Sequence, residues 1–229
     1  MKMFLQDIKL DKPLLPMHQI NFKTFELIAI ILTVLGKFLF MDYLNWRFPF
    51  VLSATILWCA YIWYRSKTNK GILKYWGFRT DNFTKVLKVV LPFGLTAILA
   101  FFVIGGIQGS INPTWHIIPV LLFYPLWGSI QQFLLIGLVA GNLYDNPNRK
   151  LSKHAIVLFA AVLFALVHYP DYWLIGGTFI LAIFYGYVYL KEKNLYVLGI
   201  FHGWLGALFY YTVLDQDPFL EIFGKLLNL

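Results

Sequence analysis

The sequence predicts an all-α fold, a polytopic helical membrane protein of about seven transmembrane helices. Three observations predict it. Of 229 residues, 59% are hydrophobic and only 13% charged, about half the charge of an ordinary soluble domain. The apolar residues come in long runs separated by short basic loops. The alternating segments that mark a membrane β-barrel are absent.

Taken in order, residues 1–24 read as a cytoplasmic tail. It holds Lys2, Lys9, Lys12 and Lys23 but no apolar run, so no cleavable signal peptide is expected. A single membrane domain follows over 25–213, with spans near 25–41, 48–64, 88–106, 116–144, 154–169, 172–190 and 195–213. The fourth is long and contains Pro119 and Pro125, which predicts a kinked helix or a short approach followed by the true span. Residues 66–86 mix bases with Tyr75, Trp76 and Phe78, the composition of a segment lying along the membrane surface. The tail 214–229 sets Phe219, Leu220, Ile222, Phe223, Leu226 and Leu227 at helical spacing, again as for an interfacial helix.

Charge orients the bundle. With the N-terminus in the cytoplasm, only Arg47 and Lys225 fall outside and Lys37 lies within the first span; every other Lys and Arg lies inside. The net charge of +8 therefore reads as membrane topology and not as a nucleic-acid footprint. The expected location is a bacterial inner membrane. The one cysteine, Cys59, excludes a disulfide framework and a cysteine-based metal motif.

Inside the apolar spans a few polar groups stand out: Ser129, Gln131 and Gln132 in the fourth, His168 in the fifth and His202 in the seventh. A buried amide without a partner costs a few kcal/mol, so such groups face the protein interior. At about 1.5 Å per residue, both glutamines and His168 share one depth, with His202 within a turn or two. Phe164 with His168, and His202 with Gly206, each share a helix face. Gly137 and Gly141, and Gly199 and Gly203, are small-x-x-x-small patterns that predict backbone-to-backbone packing of spans four and seven. One such Gln or His alone is explained equally well by an interhelical hydrogen bond; convergence is what points to a site. His18, His116 and His154 lie at span edges and read as structural or interfacial. Two embedded histidines, with Glu26, Asp42, Asp145 and Asp171 all at span ends, fall short of a zinc ligand set, so no metal or other cofactor is expected. A serine dyad from Ser129 with His168 or His202 as base is a minor alternative.

Three of these spans resemble the CPBP family, the CAAX-protease and bacteriocin-processing membrane proteins. That family carries Glu-Glu-x-x-x-Arg, then Phe-x-x-x-His, then His-x-x-x-Asn or Asp. Here Phe164 and His168 match the second motif. His202 opens the third, with Gly206 where Asn or Asp is expected, and Gln131, Gln132 and Ile136 stand in the first, followed by a matching Gly137. Gly77-Phe78-Arg79 looks like the family's loop signature, and the resemblance covers roughly 75–210. It implies a CAAX-protease-like bundle and an intramembrane endopeptidase acting on hydrophobic or prenylated peptides. By position, Gln131 occupies the place of the base with His168 as its partner. His202 falls at one oxyanion donor, and Gly206 at the other. A carboxamide has no basic lone pair, so Gln131 positions water without deprotonating it. Loss of both carboxylates together with the arginine is coherent, because an arginine left alone is an unpaired buried charge. The second reading is a non-catalytic member that binds a hydrophobic or lipidated peptide as a scaffold or immunity factor. A small lipid-binding or transport protein is the third, disfavoured by the lack of an embedded acid and of an inverted repeat.

Overall fold

Wherever the chain lies in lipid its backbone must satisfy its own hydrogen bonds, and the helix is the local solution. The computed structural model describes residues 20–228, and its elements are all helical. They are α1 (Ile20–Gly36), α2 (Arg47–Thr68), α3 (Ile72–Trp76), α4 (Phe83–Gln108), α5 (Ile117–Gln132), α6 (Asn142–Tyr144), α7 (Lys153–Leu166), α8 (Tyr172–Glu192), α9 (Leu195–Thr212) and α10 (Pro218–Leu227). Wider π-type turns extend α1 over Lys37–Tyr43 and join α5 to α6 over Phe133–Gly141. The fourth predicted span is therefore one continuous helix that takes in Pro125. Lys2, Lys9, Lys12 and His18 of the predicted tail lie outside the described residues, and α1 already begins at Ile20.

All seven predicted spans are helices. Four of them, Thr24–Tyr43, Phe83–Gln108, Ile117–Tyr144 and Tyr172–Glu192, are long and apolar enough to cross a membrane unaided. The other three differ for physical reasons. Helix α2 carries Arg47, Arg65 and Lys67. Helix α7 has 14 residues, about 21 Å of rise against a core of about 30 Å. Helix α9 is the most enclosed, buried at twelve of its 18 residues, so protein supplies much of its apolar environment. Around this core Leu95, Leu99, Phe102 and Ile107 of α4 and Ile118, Leu122 and Phe123 of α5 are exposed, apolar surface of the kind that faces lipid.

Side-chain caps start the later helices: Ser152 for α7, Asp171 for α8, Asn194 for α9 and Asp217 for α10. Asn194 also holds the loop before α4, donating to the Arg79 carbonyl at 2.9 Å and to Asn82 Oδ1 at 2.7 Å. Gly77 has a φ of 93°, so its carbonyl is free to accept the Leu195 N–H at 2.8 Å. The Gly77-Phe78-Arg79 loop thus fixes where α9 begins. Within the segment 66–86, Ile72 and Trp76 are buried, and Trp76 and Phe78 pack on Phe133 at 5.0 and 5.4 Å. The aromatic residues there pin a loop under the bundle.

Spans four and seven do meet backbone to backbone, but Gly137 and Gly141 are not the contact. They face Tyr189 and Leu195, at a level where α9 is only starting. The seam uses Pro125, Gly128 and Ser129 against Gly199 and Gly203. A Cβ on Gly128 would lie 2.9 Å from the Gly199 oxygen and from the Gly203 nitrogen; one on Gly203 would lie 2.5 Å from the Pro125 Cα. Glu26, expected at a span end, and Arg65, expected in an inside loop, meet inside the bundle. Both are buried, Arg65 Nη1 donates to Glu26 Oε1 at 3.1 Å, and Asn142 donates to Glu26 Oε2 at 3.1 Å, tying α1, α2 and α6 together.

Gly203→Ala is expected to cost about 1–3 kcal/mol by overpacking against rigid backbone. Gly176→Ala, with open space around its Cβ, should be neutral or gain about 0.5–1 kcal/mol from lowered chain entropy. Thermal unfolding in detergent checks the pair.

Candidate functional site

The close seam between α5 and α9 brings two side-chain stripes face to face. On α5, Tyr124, Gly128 and Gln131 follow i, i+4, i+7; on α9, His202, Gly206 and Tyr210 follow i, i+4, i+8. The end of α7 supplies Phe164 and His168. Together they line a cavity of about 390 Å³ whose walls include Tyr124, Gln131, Phe164, His168, His202 and Gly206.

Hydrogen bonds set the chemistry of its floor. His202 Nε2 lies 2.9 Å from Gln131 Oε1; the amide oxygen accepts, so Nε2 carries the proton and donates. The amide nitrogen of Gln131 keeps its own donors. His168 Nδ1 lies 2.7 Å from the Phe164 carbonyl oxygen. That oxygen only accepts, so Nδ1 bears the hydrogen and Nε2 keeps its lone pair. The Phe164 ring, fully buried, stands 4.9 Å from the His168 ring and 5.3 Å from that of His202. The floor therefore offers one nitrogen base and one oriented amide donor, separated by an aromatic edge.

Of the residues singled out from sequence, Gln131, Phe164, His168, His202 and Gly206 line this cavity. Gln132 and Ser129 do not. One residue along a helix is a rotation of about 100°, and this turns Gln132 into the core, where it is wholly buried and its amide has no hydrogen bond to protein. Ser129 donates to the Pro125 carbonyl at 2.7 Å and abuts Gly199; its hydroxyl belongs to the helix seam, which removes the serine dyad. Ile136 is a buried core residue. The glutamine that resembles a partner of His168 is instead bonded to His202. Of the edge histidines, His154 pairs with the Tyr187 hydroxyl at 2.6 Å. No cluster of three or more His, Cys, Asp or Glu arises among the described residues.

Four of the charged residues lining the cavity form two pairs, while Asp171 caps α8 through the Leu174 amide. Lys37 donates to Asp42 at 2.6 Å and to the Tyr169 carbonyl at 3.1 Å, and Arg47 forms an ion pair with Glu221. Glu221 brings α10 to the mouth, and Asp217 anchors it. The carboxylate accepts from Thr114 Oγ1 at 2.6 Å, His116 Nδ1 at 2.7 Å, Tyr211 Oη at 2.8 Å and the Phe219 amide at 2.9 Å. The predicted interfacial tail is thus a helix, with Phe219 stacked on His116, Phe223 tilted against Phe48, and Leu226 and Leu227 exposed.

Sequence reasoning passed over Tyr124, Tyr210 and the paired mouth charges. The seven-residue spacing from Tyr124 to Gln131 was the available signal. Residues 110–208 match the family model described as "Type II CAAX prenyl endopeptidase Rce1-like". That stretch contains α5, α7, α8 and most of α9, and with them the cavity floor. No curated protein and no solved structure matches the chain.

Burial opposes the charge on Asp217, but donation from Thr114, His116 and Tyr211 outweighs it and holds the carboxyl below its ordinary 3.8. A depressed folded-state value stabilises above the ordinary value and is lost as pH falls through the lower one. Amide exchange in α10 should therefore accelerate below pH 3.8. Asp217→Asn should accelerate it by about tenfold at neutral pH, the worth of a charge-assisted hydrogen bond.

Proposed function

Because the chain belongs to the CAAX-protease (CPBP) family over residues 110–208, we propose that it is an intramembrane endopeptidase-type protein. It takes a hydrophobic or lipidated peptide into the cavity between α5, α7 and α9. The observation that carries this reading is the floor itself, where a nitrogen base, His168, and an amide donor, Gln131, share one apolar cavity. Nε2 of His168 takes a proton from water while the water oxygen adds to the scissile carbonyl carbon. The developing oxyanion accepts from the Gln131 amide, whose orientation is set by the donation from His202 to its oxygen. The proton held by His168 then passes to the departing amine nitrogen as the C–N bond breaks.

A second reading has an observation of its own. The position that resembles the family's base is an amide, which cannot accept a proton at neutral pH. On this reading the cavity holds the peptide without cutting it. The orientation we propose, N-terminus in the cytoplasm of a bacterial cell, turns the Lys37–Arg47 mouth to the outer face.

Right-side-out vesicles containing the protein test both readings with two peptides, one hydrophobic and one of the same sequence bearing a farnesyl thioether. Slow cleavage, reduced about 10²–10⁴-fold by His168→Ala, is the expected result. Saturable binding with no cleavage, lost on Gln131→Ala, replaces it with the non-catalytic reading. Absence of binding to these vesicles and to inverted ones overturns both, and binding to inverted vesicles alone reverses the orientation.

A further inference from the structure

The third motif of the resemblance places a hydrogen-bonding side chain at 206, and here that position is Gly206. The space is not left to solvent. A Cβ built on Gly206 would meet the Tyr124 ring at 3.7 and 3.9 Å, so a methyl group fits but anything longer aimed the same way runs into the ring. Tyr124 comes from the opposite stripe, two turns along α5 from Gln131, and the Tyr210 ring braces it edge-on at 6.5 Å. Both tyrosines line the cavity that Gln131, His168 and His202 line. Tyr124 is half-buried, and no hydrogen bond from its hydroxyl arises among the described residues. The hydroxyls of Tyr61, Tyr189 and Tyr211 are bonded to Glu26, the Trp76 carbonyl and Asp217, whereas that of Tyr185, buried outside this cavity, has no partner either.

We propose that Tyr124 is the second donor of this site, its phenol hydroxyl reaching across the seam to hydrogen-bond the carbonyl oxygen of a bound peptide in the space vacated at Gly206. This rests on the peptide-binding reading above. Two substitutions then belong together. Glycine at 206 removes a short donor from α9, and the tyrosine on α5 fills the room with a longer one. The proposal also completes the geometry of the floor. The Nε2 hydrogen of His202 is already given to Gln131 Oε1, so the donors that α5 keeps for the cavity include the Gln131 amide on one side and the Tyr124 hydroxyl on the other. Their spacing of seven residues puts them on one face of α5, separated by about 10 Å of helix rise. Gly128, between them, is packed against the α9 backbone at Gly199 and Gly203, so a peptide meets the two donors from the cavity, whose wall both side chains line. No charge is needed, in keeping with the pairing of Lys37 and Arg47 at the mouth.

The test is a cycle of two proteins against two ligands. The proteins are the full chain and Tyr124→Phe, which keeps the ring and its contact with Gly206. One ligand is a hydrophobic peptide, and the other is the same peptide with a single carbonyl reduced to CH₂, scanned along its length. For the intact peptide, Tyr124→Phe is expected to weaken binding about 3- to 10-fold, the range of one neutral hydrogen bond. For the peptide reduced at the contacted carbonyl it should make no difference. An equal loss for every peptide would assign Tyr124 to packing, and an unchanged affinity would remove it from the site; either overturns the inference while leaving the peptide reading intact. No saturable binding of any peptide by the unmodified chain would overturn both. Thermal unfolding supplies a check that needs no ligand. Gly206→Asn should be destabilising, and Gly206→Asn with Tyr124→Ala should recover most of the loss. Additive effects would contradict the shared space.

Discussion

The approach of α5 to α9 at Gly128, Gly199 and Gly203 is the contact on which the rest depends. Side chains at these positions would meet backbone atoms at 2.9 Å or less, so the helices touch main chain to main chain. In a membrane, where helix association draws little from the hydrophobic effect, packing of this kind does the joining. The same closeness serves the site. It leaves Gln131 a reach of one amide to His202 and sets Tyr124 over Gly206. The Gly77 loop defines the start of α9 and so its register against α5. The bonded pair of Gln131 and His202 is then a consequence of backbone placement more than of its own attraction.

Removing charge from such a floor has an electrostatic logic. A carboxylate in a low-dielectric cavity needs a compensating partner, and taking away one member of a buried ion pair leaves the other at a cost of about 3–5 kcal/mol. By the resemblance, Gln131, Gln132 and Ile136 stand where all members of such a network would, and none of them carries a charge. What remains is held by neutral hydrogen bonds whose donors are fixed by their acceptors, the Phe164 carbonyl for His168 and the Gln131 oxygen for His202. A buried ionic network, Glu26 with Arg65, lies away from this cavity. It is satisfied by Tyr61 and Asn142, which is how a buried pair persists.

Much of this was legible in the residues. Apolar runs located the helices, and depth counting brought Gln131 and His168 to one level, with His202 within a turn or two, because rise per residue is nearly constant. The facing of each residue was less legible. Gln131 and Gln132 look alike in sequence, yet the rotation between them sends one to the cavity and the other to the core. Gly128 stayed hidden because it has no glycine four residues away; Ser129 and Pro125 complete its surface. Arg65 read as a loop cation because its partner Glu26 lies 39 positions earlier, a pairing that local pattern does not carry.

The central claim is that the side chain of Gln131 is held by His202. Dipolar recoupling between a ¹³C-labelled Gln131 side-chain carbonyl and ¹⁵N-labelled histidine, in lipid bilayers, measures it directly. A strong coupling to His202 Nε2, matching the 2.9 Å contact between oxygen and nitrogen and abolished by His202→Ala, is the predicted result. A coupling that survives His202→Ala and disappears with His168→Ala would contradict it.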